Sequence, residues 1–258
     1  MNLYSLMQTR ADAGNPVRVG LIGAGKFGSM FLSQVPTTPG MKVTMIADLD
    51  VPRARAACKA VGWAAERINA TRFCDDAASL IADPKVDVVI EATGHPAAGL
   101  KHAGLALAEG KHIIMVNVEA DVLAGPLLAA KFRKAGLVYS MAYGDQPALT
   151  SELVDWARAA GFEVIAAGKG TKYLPEYHSV TPDDVWHHYG LSEDEAAAAG
   201  MNSQMFNSFL DGTKSAIEMA AIANACDLTT PKDGLAFPPC SKDNLQNILI
   251  PSSDGGLL

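Results

Sequence analysis

Three glycines in this chain, Gly23, Gly25 and Gly28, stand in the spacing G-x-G-x-x-G directly after the β-type run Val17–Ile22. A turn of this kind can hold a pyrophosphate. Gly23 takes the tight turn, Gly25 has no Cβ to keep a phosphate from the backbone, and Gly28 lets the following helix lie close to the strand. The helix that starts here offers unpaired N–H groups and a partial positive charge. The candidate cradle is Gly23-Ala24-Gly25-Lys26-Phe27-Gly28. A second β-type run, Lys42–Ala47, ends in Asp48, 20 residues beyond Gly28. A carboxylate at that distance accepts from the ribose hydroxyls of NAD, whereas an arginine just beyond it, here Arg53, can hold the 2′-phosphate of NADP. Arg53 and Arg55 read equally well as solvated helix charges.

Further candidates follow later β-type runs. Val86–Ile90 leads into Glu91-Ala92-Thr93-Gly94-His95, where Thr93 and Gly94 would border the nicotinamide ribose. His95 would lie near the ring or serve only to begin the next helix. His112–Val116 leads to Asn117-Val-Glu119, and Leu137–Met141 to Tyr143-Gly-Asp145-Gln146. Lys169 and Lys172 flank Gly170-Thr171 after the run Phe162–Ala167. Two ammonium groups on a glycine-containing loop suit a carboxylate or phosphate, or are simply solvated. Asp211, Lys214, Ser215 and Glu218 share one side of a long helical pattern, opposite its apolar stripe. That side is either a wet face of i,i+3 and i,i+4 ion pairs or part of a surface that closes a site. His187 and His188 and the tryptophans Trp63, Trp156 and Trp186 read as surface or packing residues.

These residues need a scaffold that gathers strand ends. Strands alternate here with helical patterns over Val51–Val61, Asp76–Ala82, Pro96–Glu109 and Ala124–Ala135; residues 62–72 show no clear pattern. Such alternation predicts an α/β fold, a Rossmann-type doubly wound parallel sheet. Right-handed crossovers then bring all strand C-termini to one edge, where the candidates lie. Residues 1–146 form the expected NAD(P)-binding domain, and residues 147–258 a second, α+β substrate region closing over that edge. In it Ala148–Ala160 reads as a helix with Leu149, Leu153 and Trp156 on one side, and Thr181 and Ser192 as helix starts. Ser203–Asn224 is the longest helical pattern, with Phe206, Leu210, Thr213, Ile217 and Ala220 along one face.

Bulk properties bound the function. With 258 residues, 49% of them hydrophobic, the chain can fill a core. The net charge of −7 and the lack of a basic stripe speak against nucleic acid as a partner. No apolar run reaches the ~20 residues that span a bilayer, and the first residues lack a signal-peptide pattern. Cys58, Cys74, Cys226 and Cys240 form no C-x-x-C pair, as expected of isolated thiols in the cytoplasm.

The stretches Val19–Gly28, Ile90–Gly94 and Phe209–Thr213 together resemble the homoserine dehydrogenase superfamily. In that family an N-G-T segment begins a long helix of the substrate domain, and Asp211-Gly212-Thr213 matches it with Asp for Asn. Met115–Asp121, Tyr143–Pro147 and Gly168–Pro175 are similar to its deoxyxylulose-phosphate reductoisomerase-like branch; the likeness runs from about Val17 to Pro239. It implies an NAD(P)-dependent oxidoreductase moving a hydride to or from a small anionic hydroxy or keto compound, with NADP favoured, a homo-oligomeric state and a link to isoprenoid biosynthesis. Lys169 and Lys172 would hold the anion, and Asp211 and Lys214 would help close the site. Where homoserine dehydrogenases carry a catalytic lysine this chain has Glu119, which speaks against homoserine oxidation. Glu119 and Asp145 would instead relay a proton, pair with lysine, or hold a divalent metal, Mg or Mn. The family continues into a further C-terminal domain, so a shortened chain or a fragment is expected. Two other readings stand beside this one. They are a sugar or polyol dehydrogenase of the glucose-fructose oxidoreductase type, and a catalytically inactive nucleotide-binding protein.

Overall fold

The computed structural model describes residues 2–234 and 236–258. The chain divides into two compact units, residues 1–142 and 143–258.

The first unit begins with α1 (Leu3–Asp12) and then alternates: β1 (Val17–Ile22), α2 (Lys26–Gln34), β2 (Met41–Ala47), α3 (Val51–Ala60), α4 (Ala65–Ala70), β3 (Arg72–Cys74), α5 (Ala77–Ala82), β4 (Val88–Glu91), α6 (Pro96–Ala108), β5 (His112–Met115), α7 (Val118–Lys134) and β6 (Tyr139–Met141). The strands form one six-stranded sheet in the order β3-β2-β1-β4-β5-β6, every pairing parallel. That order reverses between β1 and β4, the crevice where doubly wound sheets take ligands. Successive strand residues point to opposite faces, and both faces are covered. Ile22, Met45, Val89, Ile113 and Met115 lie in one apolar cluster with residues of α5, α6 and α7. Leu21, Ile46 and Ile90 lie in another with Leu32 of α2 and Ala54 and Cys58 of α3. The stretch without a clear pattern becomes α4 and the three-residue β3, too short for an alternation to register.

At α2, Gly28, Leu32 and Val35 are buried, whereas Phe27 and Met30 are exposed. Gly28 fixes this rotation, because a Cβ there would come within 2.4 Å of the Gly23 carbonyl oxygen. The smallest residue must therefore face the turn.

The second unit holds α8 (Gln146–Ala159), α9 (Val185–Tyr189), α10 (Glu193–Ala198), α11 (Ser203–Leu210), α12 (Thr213–Cys226) and α13 (Leu245–Ile248). No described residue of this unit lies in a strand, so the expected strand at 162–167 and the α+β character are corrected. A strand needs an edge to bond, and no second β-type run of this unit supplies one; Val164 and Ala167 pack instead on Val154, Ile222 and Cys226. The α8 side predicted to be apolar is the wet one: Val154 is buried, and Leu153 and Trp156 are each 65% exposed. Ser192 and Glu195 form a reciprocal capping box on α10. Asp184 accepts from Thr181 N and Oγ1, but that makes a turn before α9 rather than a helix start at Thr181. The long pattern Ser203–Asn224 is two helices broken at Gly212, whose φ is +85°. Its second half begins at Thr213, where the family resemblance puts a helix start.

Candidate active site

The glycine turn separates into residues that the protein itself requires and one that it does not. Gly23 has φ +94°, and a Cβ there would meet the Ala92 carbonyl oxygen at 2.7 Å; its N–H donates to the Ala47 carbonyl at 2.8 Å. Gly28 is held by the close approach already described. Gly25 caps α2 with ordinary φ −72°, and a Cβ there would meet no heavy atom within 4 Å. Lys26 and Phe27 follow on the exposed first turn. Space beyond Gly25, at the N-terminus of a nine-residue helix, is what a pyrophosphate needs, and the residues fit a dinucleotide.

Asp48 is buried at the tip of β2. Its Oδ2 accepts from Ala24 N at 2.8 Å, and its Oδ1 accepts from Asp50 N at 2.9 Å and from Arg53 Nη2 at 2.8 Å. Burial alone would raise its pKa, but the two amides and the Arg53 guanidinium outweigh it and hold the carboxyl below the usual range. Asp48 is thus a fixed anion that also fastens the glycine turn, and Arg53 is engaged with it.

Beyond β4 the chain forms a small network. Thr93 Oγ1 donates to Glu91 Oε1 at 2.6 Å and accepts from His95 N at 3.3 Å. The His95 carbonyl accepts from Asn117 Nδ2 at 2.9 Å, and His95 Nδ1 accepts from Ala98 N at 3.3 Å. The backbone of His95 is therefore gripped at both its N–H and its C=O. Ala92 is tied to β1 by its N–H on the Ile22 carbonyl at 2.8 Å, and Thr93, Gly94 and His95 are exposed. Asn117 is 2% exposed, and its Oδ1 caps α7 through Ala120 N at 3.2 Å. With both ends of its amide engaged, Asn117 positions the loop rather than presenting itself to a ligand. Glu91 and His102 went unnoticed in the sequence: Glu91 is fully buried, and its Oε1 lies 3.1 Å from His102 Nδ1. Glu91 Oε2 and Asn207 Oδ1 are the buried side-chain atoms without a hydrogen-bond partner among the described residues. No local cue marks Glu91, since Val88–Glu91 differs from an apolar strand only at its last residue.

In the second unit Lys169 and Lys214 meet on one carboxylate. Lys169 Nζ pairs with Glu218 Oε2 and donates to Gln146 Oε1 at 2.7 Å, and Lys214 Nζ lies 3.5 Å from Glu218 Oε1. Glu218 is 2% exposed, so of the two readings left open for this side the fully wet face does not hold. The i,i+4 pair of Lys214 with Glu218 was legible in the spacing; Lys169 and Gln146 as its further partners were not. Lys172 is exposed and outside this cluster. Asp211 is spent locally, accepting from Thr213 N and Oγ1 at 2.9 and 2.7 Å and from Asn207 Nδ2 at 3.0 Å. It lines a groove of about 400 Å³ with Tyr173, His178, Thr213, Met219 and Phe237.

The two metal candidates lie in different units. Asp145 caps α8, accepting from Gln146 N at 3.0 Å, and Glu119 stands half-buried in the first turn of α7. Among the described residues no group of three or more His, Cys, Asp or Glu is arranged to hold an ion.

Two family models match the chain in succession. Residues 17–116 match the oxidoreductase family with an NAD-binding Rossmann fold, and residues 144–258 match the catalytic domain of oxidoreductase DRL. Inositol 2-dehydrogenase 2 of Paenarthrobacter aurescens is 40% identical over 93 residues, 36% of this chain and 24% of that protein. The chain thus spans about a quarter of that relative's length. Similar solved structures include myo-inositol dehydrogenase from Lactobacillus casei in complex with NAD(H) and myo-inositol, 20% identical over 61% of this chain and 44% of that one, with TM-score 0.45. Homoserine dehydrogenase from Thiobacillus denitrificans is 19% identical over 56% of this chain and 34% of that one, with TM-score 0.47.

Proposed function

We propose that the chain is an NAD(P)-dependent oxidoreductase acting on a CH–OH group, with the dinucleotide held by residues 1–142 and the substrate handled by residues 143–258. The observation that carries this reading is the space beyond Gly25, which the protein leaves open between two glycines that its own packing demands. The two successive oxidoreductase matches support it. When bound, the nicotinamide supplies hydride transfer, and the protein's task is to bind, orient and manage the proton. Gly23 to Gly28 take the pyrophosphate, Asp48 the ribose hydroxyls, and the loop from Thr93 to His95 borders the nicotinamide half. Lys169, steadied by Gln146 and Glu218, binds the substrate.

The substrate proposed is a small polyol or sugar, the class named by the 40% identical inositol 2-dehydrogenase. A second reading, a small anionic hydroxy or keto compound as in the reductoisomerase-like branch, draws on the paired lysines at Glu218. NAD is the cofactor favoured. A buried Asp48 carboxylate held below the usual carboxylate range would repel a 2′-phosphate, and Arg53, the residue on which NADP rested, is bound to it. The experiment is a spectrophotometric screen of NAD and NADP reduction with myo-inositol, other polyols, sugars, hydroxy acids and sugar phosphates. Turnover with a polyol supports the first reading, and turnover confined to acids or phosphates the second. Dinucleotide binding without turnover of any of them returns the chain to the inactive nucleotide-binding protein.

A further inference from the structure

We propose that Lys169, Lys214 and Glu218 form an oxyanion subsite, which takes a carboxylate or phosphate carried by the hydroxylated substrate. The subsite deepens the second, anionic-substrate reading above and rests on the oxidoreductase reading for the word substrate.

The argument begins with charge. Glu218 lies in the middle of α12 and is 2% exposed, beside Ser215, Ala221 and Ile222, which are 4%, 0% and 1% exposed. A carboxylate so placed needs compensation, and one lysine would supply it. This site has two, one on each oxygen: Lys169 Nζ on Oε2, and Lys214 Nζ 3.5 Å from Oε1. Two ammonium groups on one carboxylate leave one net positive charge. Among the described residues no second carboxylate lies within 4.0 Å of either ammonium. The lysine side chains are only 13% and 23% exposed, so water screens that charge far less than it screens a surface lysine.

Hydrogen-bond capacity points the same way. An ammonium group has three donors. Lys169 spends one on Glu218 and one on Gln146 Oε1, which leaves one. Lys214 meets Glu218 only as an ion pair, at 3.5 Å. The remaining N–H donors on two part-exposed cations, fixed from below by a buried carboxylate and an amide, match the several acceptor lone pairs of a carboxylate or phosphate. A single lysine would already neutralise Glu218. Lys172, two residues beyond Gly170, is exposed and takes no part.

The test uses the full chain at low salt, with inorganic phosphate and malonate as probes of the two oxyanion types, titrated by calorimetry and by amide shifts. Either probe should bind saturably, and Lys169→Gln and Lys214→Gln should each weaken binding by about tenfold, the loss of one charge-assisted bond. Glu218→Gln gives the most telling sign. Removal of a negative charge alone would tighten anion binding, whereas a positioning role predicts weaker binding, because the two cations lose the group that holds them together. Lys131→Gln, in the exposed last turn of α7, should change nothing. The subsite is overturned if neither probe saturates, if the two lysine variants bind as the parent does, or if Glu218→Gln binds more tightly. Should Glu218→Gln not fold, the lysine variants still decide. Dinucleotide binding, measured on the same proteins, separates the two ideas. No anion binding with dinucleotide binding intact sinks the subsite alone, and no dinucleotide binding by the parent sinks the oxidoreductase reading alone.

Discussion

A Cβ added at Gly25 would meet no heavy atom within 4 Å, yet its neighbours Gly23 and Gly28 are pinned by carbonyl oxygens at 2.7 and 2.4 Å. Substitutions at these positions should therefore fail in different ways. Gly25→Val is expected to keep the thermal stability within about 0.5 kcal/mol of the parent, as an unconstrained surface change does, while abolishing dinucleotide binding in a fluorescence titration. Retained binding would mean that the phosphates lie elsewhere. Gly23→Val combines a positive φ with a clash on backbone, and should unfold the turn itself. Asp48 carries a pH signature. Its carboxyl is held below the ordinary range by the Ala24 and Asp50 amides and by Arg53, against the opposing effect of burial. A depressed folded pKa contributes stability that is complete above the unfolded value of about 3.9 and is lost as pH falls through the folded one. Denaturant unfolding of the parent and of Asp48→Asn should therefore differ most near neutral pH and converge under acid conditions. A difference that stays constant down to the acid limit would contradict this assignment.

At the scale of elements, the site depends on how helix starts are tied to neighbouring loops. Asn117 is the clearest case, because one amide both caps α7 through Ala120 N at 3.2 Å and holds the His95 carbonyl at 2.9 Å. A Cβ on Gly99 of α6 would come within 2.9 Å of the Asn117 Nδ2, so the first turns of α6 and α7 close around this side chain. Asn117→Ala removes a cap and strands a buried carbonyl, at a combined cost of roughly 2 to 4 kcal/mol. It should also weaken dinucleotide affinity through the loosened loop from Thr93 to His95. Unchanged affinity in a destabilised Asn117→Ala would show that the loop does not contact the cofactor. In the second unit the corresponding hinge is Gly212, with φ +85° and its Cβ position 3.0 Å from the Phe237 ring. It ends α11 and redirects the chain into α12, which carries Lys214 and Glu218.

At the scale of the whole molecule, each unit has its own apolar core. The sheet clusters of residues 1–142 are distinct from those around Trp186 and Val154 in residues 143–258. No helix among the described residues is long and apolar enough to cross a membrane. A ligand that binds only the native state raises apparent stability, by about 2.7 kcal/mol at a hundred times its dissociation constant. NAD should therefore raise the thermal midpoint in a concentration-dependent way. Hydrogen exchange in its presence should slow at Gly23–Gly28, Asp48–Arg53 and Thr93–His95. Slowing confined to residues 143–258 would contradict the division of labour proposed for the two units.

The sequence by itself determined what rests on residues a few positions apart. The glycine spacing, the strand–helix alternation and the capping box at Ser192 and Glu195 are patterns of residues a few positions apart, where φ, ψ and composition decide. It also reached Asp48, because the spacing from the glycine turn repeats in such folds. Tertiary structure alone decided the rest. The hydrogen bond that ties Lys169 to Glu218 spans 49 residues, and the pair of Glu91 with His102 joins a strand end to a helix two turns on. No periodicity records such meetings. The helical pattern from Ser203 to Asn224 gave the right residues for a helix but could not show the turn at Gly212, since an apolar stripe continues across a break when both halves bury one face. Nor could spacing choose between a wet and a covered face for Lys214 and Glu218, and the structure buries Glu218. A charged helix face looks solvated in sequence unless its partners, here Lys169 and Gln146, are brought from elsewhere in the chain to neutralise it.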